Sequence, residues 1–295
     1  MTAKLIDGNA IAAEIREEIS AKTRILQEKG IIPGLGVILV GDDPASQTYV
    51  RMKGKACQKI GLHSVTQKLS SDITQKELMD WVDKFNSDPK IHGFLVQLPL
   101  PGHLDEGAVI ESINPDKDVD CFHPINVGKM TIGEEVFAPC TPAGIIELLM
   151  RSGNDPSGKH AVIVGRSNIV GKPLSLLLSR KGAGGNATVT ICHSRTGDLA
   201  AFTRQADIVV AAIGRANVIT GDMLKPGCVV IDVGVNRVTV PESVNPRGYI
   251  LAGDVHFESA SNVASAITPV PGGVGPMTIT MLLKNTLKAA QMTMK

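Results

Sequence analysis

Apolar positions change period several times along this chain, and each change marks an expected element. Ile11, Ile15, Ile19 and Leu26 recur on one helical face, with Asp7 and Asn9 as caps and Gly30 as the stop. An unbroken apolar run over 36–40 reads as a buried strand, followed by a helix over 45–60 and a short strand over 64–69. A second helix over 74–86 and a strand over 93–98, stopped by Pro99 and Pro101, complete this part. Strands alternating with helices imply a parallel, doubly wound sheet.

The segment 118–142 loses this periodicity and reads as irregular, a crossing between domains. Thr141 and Pro142 then open a helix to about residue 150 that links the two halves. Beyond it the pattern sharpens: a buried strand over 161–164, a turn, a helix over 170–181, and strands over 187–191, 208–213, 229–233 and 249–252. That succession is Rossmann-type. A last helix, over 277–291, is expected to return and pack on the first domain.

A length of 295 residues suits two domains, and 43% hydrophobic residues suffice to give each its own core. The net charge of +1 supplies no basic field for nucleic acid. No apolar run reaches membrane-spanning length, and the first ten residues lack an apolar signal region. Five scattered cysteines without a CxxC pair point to thiols in a reducing cytosol, and neither to disulfides nor to a metal site. The absence of GxxxxGK[ST] argues against an ATP-driven ligase.

The first turn of the second domain runs Gly165-Arg166-Ser167-Asn168-Ile169-Val170-Gly171. It departs from GxGxxG but keeps a glycine at the strand end and another at the helix start. Its backbone N–H groups could hold a pyrophosphate, although a plain tight turn has the same composition. At the end of the next strand, Cys192-His193-Ser194-Arg195-Thr196 lacks the carboxylate that an NAD site uses for the ribose 2′-hydroxyl. Arg166, Ser194 and Arg195 would suit a 2′-phosphate, which favours NADP. Arg195 could equally be a solvated loop residue.

In the first half, Tyr49 and Lys53 lie four residues apart on one helical face. Partial desolvation beside the ring would fit Lys53 for proton transfer, while spacing alone describes a solvated face better. Gln97 falls at a strand end, where ligand crevices form in open parallel sheets, or is an ordinary polar terminus. Asp120, a carboxylate among apolar neighbours, could accept a guanidine-like edge in bidentate fashion or simply cap a turn. His123 and His193 lack ligand-spaced partners, which favours packing or loop roles for both. Residues 267–276, Ile-Thr-Pro-Val-Pro-Gly-Gly-Val-Gly-Pro, form the densest Pro/Gly run. A rigid connecting loop would read the same way. Its place after the nucleotide-type half favours one wall of an active-site cleft.

Taken in order, GDDPASQTYVRMKGKAC, GFLVQLPLPGH, PDKDVDCFHPINVGK, PCTPAGI, GRSNIVGKP, ATVTICHSRT, KPGCVVIDVGVNR and ITPVPGGVGPMT resemble one family almost end to end. That family is the bifunctional methylenetetrahydrofolate dehydrogenase/methenyltetrahydrofolate cyclohydrolase. The resemblance implies an α/β catalytic domain over 1–140 and 276–295, and a Rossmann-type NADP-binding domain over 141–275. It implies tetrahydrofolate derivatives as substrates and a homodimer. Lys53 matches the proton-transfer lysine, Tyr49 the tyrosine that packs on folate, Gln97 the glutamine that tunes the lysine, and Asp120 the pterin-binding carboxylate. Gly165, Arg166, Ser167, Ser194, Arg195 and Val235 form the expected cofactor set. Pro271, Gly272, Gly273 and Gly275 are expected to meet substrate. Two positions depart from the family pattern: Cys121, where glycine is expected, and His256, where an acidic residue is. A dehydrogenase with little hydrolase activity, an NAD-preferring enzyme, or a silent dinucleotide-binding protein are the competing readings.

Overall fold

The computed structural model of the chain describes residues 2–134, 136–243 and 245–294. In chain order its elements are β1 (Lys4–Leu5), α1 (Gly8–Glu28), β2 (Gly34–Val40), α2 (Pro44–Lys59), β3 (His63–Leu69), α3 (Gln75–Ser87) and β4 (Gly93–Val96). Then come α4 (Glu106–Ser112), α5 (Pro124–Thr131), α6 (Cys140–Arg151), β5 (His160–Val164), α7 (Gly171–Ser179), β6 (Thr188–Cys192) and α8 (Leu199–Thr203). The chain finishes with β7 (Ile208–Ala211), β8 (Val229–Asp232), β9 (Asn236–Thr239), β10 (Tyr249–Ala252), α9 (Phe257–Ser261), β11 (Ala266–Ile267) and α10 (Val274–Met292). They form two compact units. One joins Ala13–Cys140 to Ile279–Lys295, and the other joins Met1–Ala12 to Thr141–Thr278.

The first of these holds a three-stranded parallel sheet in the order β3-β2-β4. β2 is buried along its whole length, which explains its unbroken apolar sequence. Ile38, Leu78, Val82, Phe85 and Phe94 pack in the core, and the two phenyl rings meet edge to face at 5.5 Å. α1 buries Ile15, Ile19 and Leu26 as its spacing predicts. Asp7 accepts the N–H groups of Asn9 and Ala10, so Asp7 is the cap and Asn9 lies inside the helix. α3 carries a full capping box between Thr74 and Glu77.

The second unit holds six parallel strands in the order β1-β11-β8-β7-β5-β6. Its strand order reverses beside β5, the topological switch of a Rossmann-type sheet. The first residues join here because β1 extends the sheet edge by pairing with β11. This differs from the 1–140 grouping that the resemblance implies, in which these residues belong with the other half.

Three further differences have local causes. The 118–142 segment contains α5, which starts at Pro124 with His123 as its cap. α4, capped by Asp105, escaped notice because only seven residues carry its periodicity. Residues Tyr249–Ala252 do form a strand, but it pairs antiparallel with β9 in a separate hairpin and does not join the parallel sheet. Its half-exposed residues suit a ribbon with one wet face.

Candidate active site

α2 is set by Asp43, whose carboxylate accepts the Ser46 N–H at 2.7 Å, with Pro44 in the first turn. On this helix Tyr49 is 38% exposed, whereas Lys53, one turn on, is only 6% exposed. The Lys53 Nζ donates to Gln97 Oε1 at 3.0 Å. β4 ends at Val96, two positions before the strand end that the sequence predicts, so Gln97 directly follows it, and its N–H still reaches Ile38 O at 2.8 Å. Its Nε2 donates to Leu98 O at 2.8 Å, which turns the amide oxygen toward the amine. One turn beyond Lys53 is Cys57, whose thiol burial pushes up to about 11.

Asp120 sits in a loop organised by its neighbour but one. Buried Asp118 accepts the N–H groups of Phe122 and His123 and the Asn126 amide at 2.9–3.2 Å. Burial raises its pKa, with Asp120 adding to the shift and those three donors opposing it. His123 Nδ1 accepts the Ile125 N–H, so Nε2 carries the proton and donates to Glu111 O at 3.1 Å. His123 is thereby a structural cap. Cys121 has φ of +61°, the left-handed region that favours glycine, and its thiol meets Phe137 O at 3.3 Å. The turn after Asp120 therefore keeps the backbone shape expected of glycine, with a buried thiol added.

Sequence reasoning missed the partners of Asp120. Cys140 Sγ lies 3.5 Å from Asp120 Oδ1 and 3.4 Å from Val119 O. Asn285, a buried amide on α10, donates to Val119 O at 2.8 Å and Ala138 O at 3.0 Å, tying both approaches to this thiol together. Burial holds the Cys140 pKa well above the ordinary value, Asp120 raises it further, and Lys53 opposes them. The same thiol thus feels the carboxylate and the amine. Asp120 Oδ2 has no donor among the described residues, so it can take a ligand's N–H. The one sequence signal for Asn285 is a polar side chain in the apolar register of α10.

In the other unit, Val164 pairs with Cys192 and the Gly165 N–H donates to Cys192 O at 2.8 Å. The turns after β5 and β6 therefore start side by side. A Cβ on Gly165 would overlap Ala212 O, and one on Gly171 would overlap Gly165 O, so both glycines are dictated by close backbone approach. Ser167 Oγ accepts the Val170 N–H at 3.1 Å at the entrance to α7. The N–H groups of residues 166–169 have no acceptor among the described residues. Past β6, His193 Nδ1 accepts the Arg195 N–H and Thr196 Oγ1 accepts the His193 N–H, closing a turn that leaves Ser194 and Arg195 exposed. Such a pair of turns fits a dinucleotide: open N–H groups for a pyrophosphate, and a hydroxyl with a guanidinium for a 2′-phosphate. Arg166 is exposed in the same place, and Val235, 51% exposed, follows β8.

The Pro/Gly run packs on the start of α1. The Asn9 N–H donates to Gly272 O at 3.1 Å, and a Cβ on Gly8 would overlap Gly273 O. Gly273 is buried, Pro271 is exposed, and Gly272 and Gly275 are half-buried. α10 starts at Val274, three residues before the expected 277, so Gly275 and Pro276 form its first turn. His256 caps α9, its Nδ1 within reach of both Ser259 Oγ and Ser259 N–H, the task an acidic residue would perform there.

The geometry thus describes a two-unit α/β protein with a Rossmann-type sheet in one unit and, in the other, Lys53 bonded to Gln97 with Asp120 beside Cys140. Residues 6–120 match the tetrahydrofolate dehydrogenase/cyclohydrolase catalytic domain, and residues 139–294 match the NAD(P)-binding domain of the same family. The chain belongs to the tetrahydrofolate dehydrogenase/cyclohydrolase family. It is 56% identical over 292 residues to Bifunctional protein FolD of Syntrophobacter fumaroxidans, spanning 99% of this chain and 98% of that protein. The FolD methylenetetrahydrofolate dehydrogenase/cyclohydrolase structure of Campylobacter jejuni superposes with a TM-score of 0.92 at 49% identity, covering 99% of each chain. That of the Trypanosoma brucei enzyme, solved with NADP cofactor and an inhibitor, gives 0.94 at 42% identity over 100% of this chain and 99% of that one.

Proposed function

We propose that this protein oxidises 5,10-methylenetetrahydrofolate with NADP and hydrolyses the resulting 5,10-methenyl compound to 10-formyltetrahydrofolate, in one-carbon metabolism. The observation that carries the catalytic assignment is the buried Lys53 amine, oriented by Gln97 at 3.0 Å. NADP, when bound, supplies the acceptor for the hydride leaving the methylene bridge. The dinucleotide is held by the open turn at Gly165, Arg166 and Ser167, and its 2′-phosphate by Ser194 and Arg195, with Val235 nearby in sequence to β8.

Asp120 receives the amino-pyrimidinone edge of the pterin, two parallel N–H donors that complement a carboxylate. Tyr49, exposed on the same helical face as Lys53, offers its ring to the folate. Pro271, Gly272, Gly273 and Gly275 contribute backbone contacts to substrate. In the hydrolysis, water adds to the methenyl carbon and loses a proton to the Lys53 amine. The carbon–N5 bond then breaks as N5 takes a proton, leaving the formyl group on N10. Gln97 fixes the direction from which Lys53 approaches that proton.

Purified protein should reduce NADP when given methylenetetrahydrofolate, and should hydrolyse the methenyl compound without NADP. Failure of both assays sinks the reading; a strong preference for NAD refutes the role of Ser194 and Arg195. We also propose a homodimer working in the cytoplasm. Its five buried thiols suit a reducing compartment, and no helix among the described residues is long and apolar enough to cross a membrane. Light scattering on the purified chain tests the dimer.

A further inference from the structure

Two buried carboxylates in the dinucleotide unit have no part in the chemistry above. Asp254 is fully buried, and its oxygens accept four N–H donors. Oδ2 takes Ile213 N at 2.5 Å and Gly214 N at 2.9 Å; Oδ1 takes Arg215 N at 3.0 Å and Asn236 Nδ2 at 2.9 Å. Asp232, at the end of β8, accepts the N–H groups of Gly234, Asp254 and Val255 at 2.9–3.0 Å. Glycines let the backbone wrap this pair: a Cβ on Gly234 would overlap the Asp254 carboxylate, and one on Gly253 would overlap that of Asp232.

The location gives the pair its meaning. The 213–215 turn leaves β7, the neighbour of β5 across the topological switch, and Ala212 O abuts Gly165. In a sheet of this kind the dinucleotide lies over the strand ends at that switch, with its second half beside the turns that follow the far strands. Asp254 fixes three successive N–H groups of one such turn, and through Asn236 it fixes the start of the hairpin that follows Val235. A neutral amide could not replace it, because each oxygen already accepts two donors and an NH2 would face donors on either side.

We propose that Asp254, with Asp232 behind it, is a positioning residue of the cofactor site, shaping the turn against which the second half of NADP packs. This rests on the functional reading above. Isothermal titration of NADP into the folate-free protein measures it directly. Asp254→Asn should raise the Kd for NADP tenfold or more and the KM for NADP in parallel. Hydrolysis of the methenyl compound without NADP should stay within twofold, and amide exchange at 213–215 should accelerate. An unchanged Kd in the folded variant overturns the proposal, as does a loss of hydrolysis in the same proportion as the dehydrogenase. If Asp254→Asn does not fold, Asn236→Ala removes one donor only: a two- to fivefold rise in Kd supports the proposal and no rise overturns it. A wild-type protein that binds NADP but lacks both activities sinks the functional reading alone.

Discussion

The two units solve the problem of holding a ligand in opposite ways. In the three-stranded unit the proposed site consists of side chains: the Lys53 amine, the Gln97 amide and the Asp120 carboxylate, the last backed by Cys140. In the six-stranded unit it consists mainly of backbone, with glycines permitting close approach and N–H groups left open at the turn after β5. The buried side chains there, Asp232 and Asp254, serve the backbone. A side-chain site is brittle, since one truncation deletes a function. A backbone site is distributed, and single exposed residues only adjust it.

The strongest break in that comparison is Lys53→Met. Loss of the proton acceptor should slow hydrolysis by about a hundredfold to ten-thousandfold, with NADP affinity unchanged. A variant that hydrolyses at the wild-type rate removes Lys53 from its role.

Next in size is the cost of the backbone solution. Burial raises the Asp232 pKa from 3.8 to about 6, more than its three N–H donors can offset. Between those values the folded protein holds a proton that the unfolded chain has released. The penalty is therefore absent below pH 4 and fully felt above pH 6, where it reaches roughly 3 kcal/mol. Urea unfolding of wild type and Asp232→Asn at pH 4 and pH 7 reads it. The wild type should lose stability relative to the variant as pH rises, and parallel curves would contradict the assignment.

Asp120→Asn should raise the KM for folate substrate about tenfold, the worth of one charge-assisted pair, and leave the Kd for NADP alone. Arg195→Ala is the mildest: the KM for NADP should rise by about fivefold to tenfold, and that for NAD should stay constant. Equal effects on both cofactors would place Arg195 away from the 2′-phosphate.

The same contrast decides what could be read from sequence. Repeating signals are legible: the apolar run of β2, the α1 stripe of Ile15, Ile19 and Leu26, and the strands β5 to β8 of the long sheet, while the two-residue strands β1 and β11 are too short to carry a period. Lys53 and Gln97 could be named from local pattern, but their hydrogen bond spans 44 residues and no periodicity encodes it. Nothing in the sequence singles out Asp232 or Asp254, because a carboxylate that binds mainly backbone leaves no partner residue type to recognise. The strand over 249–252 is legible but its place is not: it pairs with β9 and not with the parallel sheet, since strand propensity fixes neither partner nor direction. Cys121 stands in a glycine's place in the family pattern, and its positive φ is the physical reason glycine is expected there.

All five cysteines are buried thiols, and burial raises the pKa of Cys57, Cys140, Cys192 and Cys228. Thiolate is the form that alkylating and oxidising reagents attack, so the native molecule shields its sulfur both sterically and chemically. Labelling by a maleimide should then count only chains that have opened, turning an inert set of residues into a built-in clock for unfolding.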